Sequence, residues 1–76
     1  MNTKEILDLA RKHVNNGAAM ASSALLCLRE AEDLAHAGLE PIARNRAVDS
    51  LKYSVGIFHP DFAKAKGALD SSCLNR

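Results

Sequence analysis

The sequence predicts an all-α fold, an antiparallel helical hairpin with breaks near Gly17 and Pro60. Three observations lead to this prediction: apolar residues recur at helical spacing along both halves of the 76-residue chain, one strong helix-stop signal lies near the middle, and small residues before that signal match large residues after it. A chain of this length has room for one domain, covering residues 1–76. The predicted helices span about 3–15, 18–37, 41–58 and 61–70.

The central turn lies between Gly38 and Pro41. Gly38 suits the position just after a helix end, because that position adopts a left-handed backbone conformation, and Leu39 supplies an apolar contact behind it. Pro41 suits the first position of the next helix, where its missing N–H has no cost. A start signal precedes the first helix, since Asn2 with Glu5 three residues later predicts a capping box.

Two further breaks are weaker. Gly17 costs a helix interior about 1 kcal/mol relative to Ala. Pro60 removes a backbone hydrogen bond and clashes with the carbonyl group of Gly56, at a cost of about 3 kcal/mol. Because the apolar repeat runs through both positions, we expect breaks or kinks inside two long arms.

Size complementarity between the two arms sets the predicted register. One row in the first half, at seven-residue spacing, contains only small residues: Ala10, Gly17, Ala24, Ala31 and Gly38. The row at three- and four-residue spacing in the second half is mostly large: Val48, Leu51, Val55, Phe58, Phe62, Ala65 and Leu69. The predicted pairs are Gly17 with Phe62, Ala21 with Phe58, Ala24 with Val55, Ala10 with Leu69, and Val14 with Ala65. Large side chains would then fill the space beside small ones.

A second apolar row flanks the first. The two rows together form an apolar arc that is too wide for one partner helix to cover. Its members, predicted to form a self-association interface, are Ile6, His13, Met20, Cys27, Leu34, Tyr53 and Ile57. Two arrangements bury this row: the short segments fold back to make a compact four-helix unit, or two hairpins pair into a four-helix bundle. We expect the homodimer, because single small cores rarely suffice for stability.

Cysteine use indicates a reducing compartment, and hydropathy argues against a membrane span. Cys27 and Cys73 lie far apart and lack the spacing of a disulfide scaffold or a zinc finger, which predicts reduced thiols in a cytoplasmic protein. The apolar run 17–28 is too short to span a membrane. Acidic residues on both sides of that run argue against a signal peptide. We therefore expect no membrane association.

The sequence predicts no catalytic residue, no cofactor and no metal ligand. Neither cysteine has a neighbouring base, and the glycines are too scattered for a phosphate loop. The same lack of a base applies to Ser22, Ser23, Ser54, Ser71 and Ser72. Asp33 and His36 have the spacing of ferritin-like di-iron helices, with Glu30 and Glu32 close by, but cations on the predicted facing segment would repel a metal ion. A solvated acidic turn that ends in His36 is the preferred interpretation.

The tripeptide His59, Pro60 and Asp61 resembles the HPD signature of J-domains, which engage heat-shock chaperones through the loop between their second and third helices. The resemblance covers these three residues. The preceding helix lacks the lysine-rich, Tyr-ended pattern of that family, and few residues remain for its third helix. A helix that begins with Pro60 and has Asp61 in its first turn accounts for the tripeptide.

Charge and apolar surface together suggest the class of function. The net charge is +1, with acidic residues in excess in the first half and basic residues in excess in the second. The basic residues considered are Arg44, Arg46 and Lys52. We interpret them as a solvated helix face, and the alternative is that they form the nucleic-acid-binding surface of a regulator. The excess apolar surface predicts a non-enzymatic interaction or regulatory protein that self-associates and binds an unidentified macromolecular partner. A metal-binding helical bundle is the second alternative.

Overall fold

Four helices make up the part of the chain that the structure describes. The computed structural model describes residues 1–17 and 20–74, with side chains described through residue 69. The helices, in chain order, are α1 (Thr3–Asn15), α2 (Ala21–His36), α3 (Glu40–Val55) and α4 (Pro60–Leu74). The described residues contain no strand, and the helices pack against one another, so the predicted all-α class is confirmed. None of these described helices combines the length and the apolar composition needed to cross a membrane.

The first helix has a defined start and a defined end. The Asn2 Oδ1 atom accepts the Glu5 N–H at 2.9 Å, and the Glu5 carboxylate accepts the Asn2 N–H at 2.9 Å, which completes the predicted capping box. At the other end, Gly17 has a φ of +89°, a conformation that favours glycine, so α1 ends there instead of continuing with a kink. The predicted start of the second helix at residue 18 lies outside the described residues, and α2 begins at Ala21.

The central turn has the predicted glycine cap. Gly38 has a φ of +80°, and its N–H donates to the Ala35 carbonyl at 3.1 Å. The Leu39 N–H donates to the Leu34 carbonyl at 2.9 Å. These two bonds form a Schellman motif, which satisfies two of the last carbonyl groups of α2. Pro41 is the second residue of α3, one position later than predicted.

The break between α3 and α4 falls earlier than predicted. α3 ends at Val55, where the sequence predicted a helix through residue 58. The cause is Gly56, whose φ of +88° and ψ of 166° are reached at low cost by glycine alone. Pro60 begins α4. Residues 56–59 therefore form a short connection between the two helices.

Helices α2 and α3 form the predicted antiparallel hairpin, with small residues at their contact. The Ser50 hydroxyl donates to the Ala24 carbonyl at 2.8 Å, and the Met20 N–H donates to the Tyr53 carbonyl at 3.2 Å. The buried small residues of α3 are Ala43, Ala47, Ser50 and Ser54. Their three- and four-residue spacing places them on one helix face, which faces α2.

The predicted register between the two halves is wrong. Ser50 faces Ala24 where Val55 was predicted, a shift of five residues. Phe58, predicted to face Ala21, is 94% exposed. The physical reason is that small residues occur on both helices of the hairpin, so the two backbones approach closely enough for a serine hydroxyl to reach the opposite main chain. A large side chain at this contact would hold the helices apart.

The first helix folds back over the hairpin, so the two long arms expected from the sequence are absent. α1 packs mainly on α3 and also on α2, and α4 packs on α3. Gly17 is exposed, whereas its predicted partner Phe62 is buried. The shared core consists of Ile6, Leu7, Ala10, Leu28, Ala31, Ala47, Val48, Leu51, Phe62 and Ala65. One chain thus forms a compact four-helix unit, the arrangement that the sequence analysis placed second.

Ion pairs at the surface join neighbouring helices. The Arg11 side chain on α1 donates to the Glu32 carboxylate on α2. The Arg46 Nε atom on α3 lies 3.4 Å from a Glu30 carboxylate oxygen on α2. Each pair is substantially exposed, so each contributes at most about 1 kcal/mol. The core therefore supplies most of the stability.

Candidate functional site

A cluster of two histidines and one carboxylate lies where α1 meets the α3–α4 connection. His13 comes from the last turn of α1, His59 from the connection, and Asp61 from the first turn of α4. The His13 Nε2 atom lies 2.7 Å from the Asp61 Oδ2 atom, and the His59 Nδ1 atom lies 3.9 Å from the same oxygen. The two imidazole rings meet edge to face, with centroids 5.2 Å apart. We call these three residues the polar cluster.

His59 is the N-cap of α4. Its carbonyl accepts the Ala63 N–H at 3.1 Å, and its Nδ1 atom accepts the Asp61 N–H at 3.0 Å. The first of these is the opening hydrogen bond of the helix. The second satisfies the Asp61 N–H, one of the donors that a helix start leaves unpaired, a task more often performed by Ser, Thr, Asn or Asp. Because Nδ1 is the acceptor, the neutral ring carries its proton on Nε2. The cap therefore fixes both the position and the tautomer of His59.

The surroundings of Asp61 favour its ionised form. The hydrogen bond from His13 lowers the pKa of Asp61, desolvation opposes this effect to a smaller extent, and electrostatic attraction from His59, His13 and Lys12 reinforces it. The side chain of His13 is 15% exposed, whereas those of His59 and Asp61 are 37% and 31% exposed. The polar cluster is thus closed on the α1 side and open to solvent on the α4 side.

The polar cluster brings together donor atoms that suit a metal ion. One ring nitrogen of each histidine and one carboxylate oxygen of Asp61 lie within 4.8 Å of one another. Imidazole nitrogens suit zinc, copper, nickel and iron, and a carboxylate is a common third ligand for these ions. Among residues 1–17 and 20–69, this is the one group of three or more such donors within that distance.

Two apolar side chains project from the connection next to the polar cluster. Ile57 is 53% exposed and Phe58 is 94% exposed. They lie between Gly56 and His59, and the His59 N–H donates to the Gly56 carbonyl at 3.4 Å, which closes the connection into a turn. We call Ile57 and Phe58 the apolar tip. Full burial of a phenylalanine side chain is favourable by about 1.5–3 kcal/mol, and Phe58 does not gain this free energy within its own chain. Exposed apolar groups of this kind mark interaction sites.

A groove between α3 and α4 borders the apolar tip. Its volume is about 390 Å³, and Ile57 is one of its lining residues. The other apolar lining residues are Val48, Phe62 and Leu69, and the polar ones are Asn45, Asp49, Lys52 and Lys66. This volume lies within the range of about 300–1,000 Å³ that is typical of ligand pockets. We call this feature the α3–α4 groove.

The residues predicted for self-association fall into three groups. Two are buried within the single chain: Ile6 and Cys27. Three are partly buried: His13, Leu34 and Tyr53. Two are more than half exposed: Met20 and Ile57. Because α1 folds back on the hairpin, Ile6 lies in the core of its own chain and offers no surface to a second copy, and the burial of Cys27 removes it in the same way.

The predicted basic residues do not point to one common patch. Arg44 donates from Nε to the Thr3 hydroxyl at 3.0 Å, toward α1. Arg46 lies 3.3 and 3.4 Å from two carboxylates, which offset its charge. Lys52 is exposed and lines the α3–α4 groove. This arrangement gives little support to a nucleic-acid surface built from these three cations.

The metal ligands considered from the sequence are not those that the fold assembles. Asp33 and His36 are exposed at the end of α2. The polar cluster instead joins residues separated by as many as 48 positions, so no local spacing in the sequence signals it. Sequence reasoning recognised Pro60 and Asp61 as the start of a helix, which is correct, but it missed the capping role of His59 and the contact with His13.

Comparisons of the chain with protein-family models, with curated proteins and with solved structures found no match. Function is therefore inferred from the chemistry of this chain's own side chains.

Proposed function

We propose that this chain is a small, non-enzymatic interaction protein that self-associates and binds a macromolecular partner through the apolar tip. The observation that carries the proposal is the exposure of Phe58, 94% of whose surface faces solvent beside a half-exposed Ile57. Aromatic side chains of this kind are the usual anchors of protein interfaces, because they bury a large area in one pocket.

The connection presents Phe58 on a fixed support. Gly56 turns the chain out of α3, and the ring of His59 caps α4 by accepting the Asp61 N–H. The tip thus occupies a short turn that is held at both ends by helices. An anchor that is ordered before binding loses less conformational entropy on association, which favours recognition by a small surface.

The surface next to the tip offers a cavity for such an anchor. Ile57 belongs to both the apolar tip and the lining of the α3–α4 groove, and the groove contains the apolar side chains of Val48, Phe62 and Leu69. A projection and a cavity side by side suit a two-fold symmetric dimer, in which each copy places Phe58 in the groove of the other. Self-association of this kind retains Ile57 from the predicted interface and adds Phe58.

Sedimentation equilibrium on a matched pair of variants tests this proposal. Ile57 and Ile42 are 53% and 50% exposed, and they lie near opposite ends of α3, about 20 Å apart at 1.5 Å per residue. Ile57→Ser and Phe58→Ser should each weaken the dimer at least about tenfold, whereas Ile42→Ser should leave it unchanged. Wild-type protein that stays monomeric at about 100 μM would contradict self-association.

Binding of a different protein has its own test. A photoreactive phenylalanine analogue at position 58 should crosslink to a partner in a cell extract, and excess wild-type chain should suppress the crosslinked product. Excess Phe58→Ser chain should not suppress it, because that variant lacks the anchor, whereas excess Ile42→Ser chain should compete as well as wild type. Equal suppression by all three chains would exclude the tip as the binding surface.

A further inference from the structure

The polar cluster carries an inference that does not depend on the apolar tip. We propose that His13, His59 and Asp61 form a binding site for one borderline divalent transition-metal ion, of which Zn²⁺ is the representative. The three side chains come from α1, the α3–α4 connection and α4, and their donor atoms lie within 4.8 Å of one another. The sequence analysis assigned no metal role to any of them.

The donor set determines the class of ion. Two imidazole nitrogens and one carboxylate oxygen suit zinc, cobalt, nickel, copper or iron(II), whereas Ca²⁺ and Mg²⁺ prefer oxygen ligands throughout. Three protein ligands leave at least one coordination position for water. The partial exposure of His59 and Asp61 provides access for the ion and space for that water.

The observed distances require only small movements. Donor atoms about 2.0–2.2 Å from a tetrahedral ion are about 3.3 Å apart. The contact between His13 Nε2 and Asp61 Oδ2, now 2.7 Å, would have to open by about 0.6 Å, and the distance between His59 Nδ1 and Asp61 Oδ2, now 3.9 Å, would have to close by a similar amount. Rotations of the partly exposed His59 and Asp61 side chains achieve shifts of this size without repacking the core.

Metal binding would change one hydrogen bond in a way that can be measured. The single lone pair on the neutral His59 ring lies on Nδ1, which accepts the Asp61 N–H. Coordination through Nδ1 uses that lone pair, and coordination through Nε2 places a proton on Nδ1. In either case the Asp61 N–H loses its acceptor. The ion therefore competes with the helix cap and ties α1 directly to the start of α4.

The chain supplies a matched control for this proposal. It has three histidines, of which His36 is exposed at the end of α2 and outside the polar cluster. In calorimetric titration of tag-free, chelator-treated protein with Zn²⁺, wild type and H36Q should each bind one ion with the same affinity. H13Q, H59Q and D61N should each bind at least about tenfold more weakly. A Cys73→Ser variant should bind like wild type, since that thiol is not among the proposed ligands.

A spectroscopic measurement on unmodified protein removes any dependence on variants that fold poorly. In nitrogen-15 NMR spectra, one equivalent of Zn²⁺ should shift the ring nitrogens of His13 and His59 and the amide of Asp61, and should leave the ring of His36 in place. Absence of binding at about 100 μM Zn²⁺ would overturn the proposal. Loss of binding in H36Q or Cys73→Ser, or unchanged ring signals of His13 and His59 at saturation, would overturn it as well.

Discussion

Ser50 donates a 2.8 Å hydrogen bond to the carbonyl oxygen of Ala24, and both residues are fully buried. A serine inside a helix usually bonds to a carbonyl of its own preceding turn, as Ser54 does here with the Ser50 carbonyl at 2.7 Å. Ser50 instead reaches across to α2. The bond is only feasible because small residues on both helices let the two backbones approach closely.

Enlarging residue 50 should therefore separate the hairpin. Ser50→Leu should lower the free energy of unfolding by about 3 kcal/mol, because it overpacks the contact and removes the hydrogen bond. Ser50→Ala removes only the hydrogen bond and should cost about 1 kcal/mol. Urea denaturation measures both values. Ser22→Leu, at an exposed position of α2, serves as the control and should change stability by less than about 0.5 kcal/mol. Equal stability of Ser50→Leu and Ser22→Leu would contradict close packing at this position.

The capping box of α1 has consequences beyond the helix start, since α1 supplies Ile6 and Ala10 to the core. Asn2→Ala removes the acceptor of the Glu5 N–H and should lower the free energy of unfolding by about 1 kcal/mol. Lys4→Ala changes an exposed residue of the same turn and should have little effect. Thermal denaturation followed by circular dichroism compares the two variants, and a larger loss in Lys4→Ala would argue against the cap.

The features of the fold that were predictable from sequence are the local ones. The capping box at Asn2 and the glycine cap at Gly38 depend on residues within one turn of each other, so their patterns are visible in the sequence. The packing of α1 was not predictable in this way. The apolar repeat runs through Gly17 without interruption and suggests one long arm, whereas the positive φ of Gly17 ends the helix. Periodicity reports which residues are apolar and does not report where the chain reverses.

Gly56 and Gly67 should respond to the same substitution with opposite signs. A Cβ atom at either position would meet no neighbouring atom within 4 Å, so sterics do not separate them. Gly56 has a φ of +88°, and Gly56→Ala should therefore cost about 1–3 kcal/mol of backbone strain. Gly67 lies within α4, where Gly67→Ala should stabilise by about 0.5–1 kcal/mol. Chemical denaturation measures the free energy of unfolding of both variants. A stabilising Gly56→Ala would show that the connection does not need this backbone conformation.

The candidate site was less predictable than the fold, for a physical reason. His13 and Asp61 lie 48 residues apart, and their contact depends on how α1 and α4 each pack against α3, which no short spacing encodes. The apolar tip was misjudged for a related reason. Phe58 continues the apolar pattern of α3, so the pattern predicts burial, but Gly56 ends the helix two residues earlier and turns Phe58 into solvent.

Cys27 should be an unreactive thiol in the folded chain. Burial raises the pKa of Cys27, and the negative charge of Asp49 adds to the effect while Arg46 opposes it. In a Cys73→Ser background, where Cys27 is the one remaining cysteine, an aromatic disulfide reagent should react slowly with native protein at pH 8 and rapidly after denaturation. The raised pKa means that folding favours the protonated thiol. Its contribution to stability is complete below the pKa of an unfolded cysteine, about 8.5, and is lost as the pH rises through the folded value.

The free energy of unfolding should therefore decline above about pH 8 in the Cys73→Ser protein, and part of that decline should disappear when Cys27→Ala is added. Urea denaturation at a series of pH values measures both slopes, and the alanine variant isolates the contribution of the thiol. A native Cys27 that reacts as fast as the denatured chain would contradict its burial. Identical pH slopes with and without the thiol would show that its ionisation is not linked to folding.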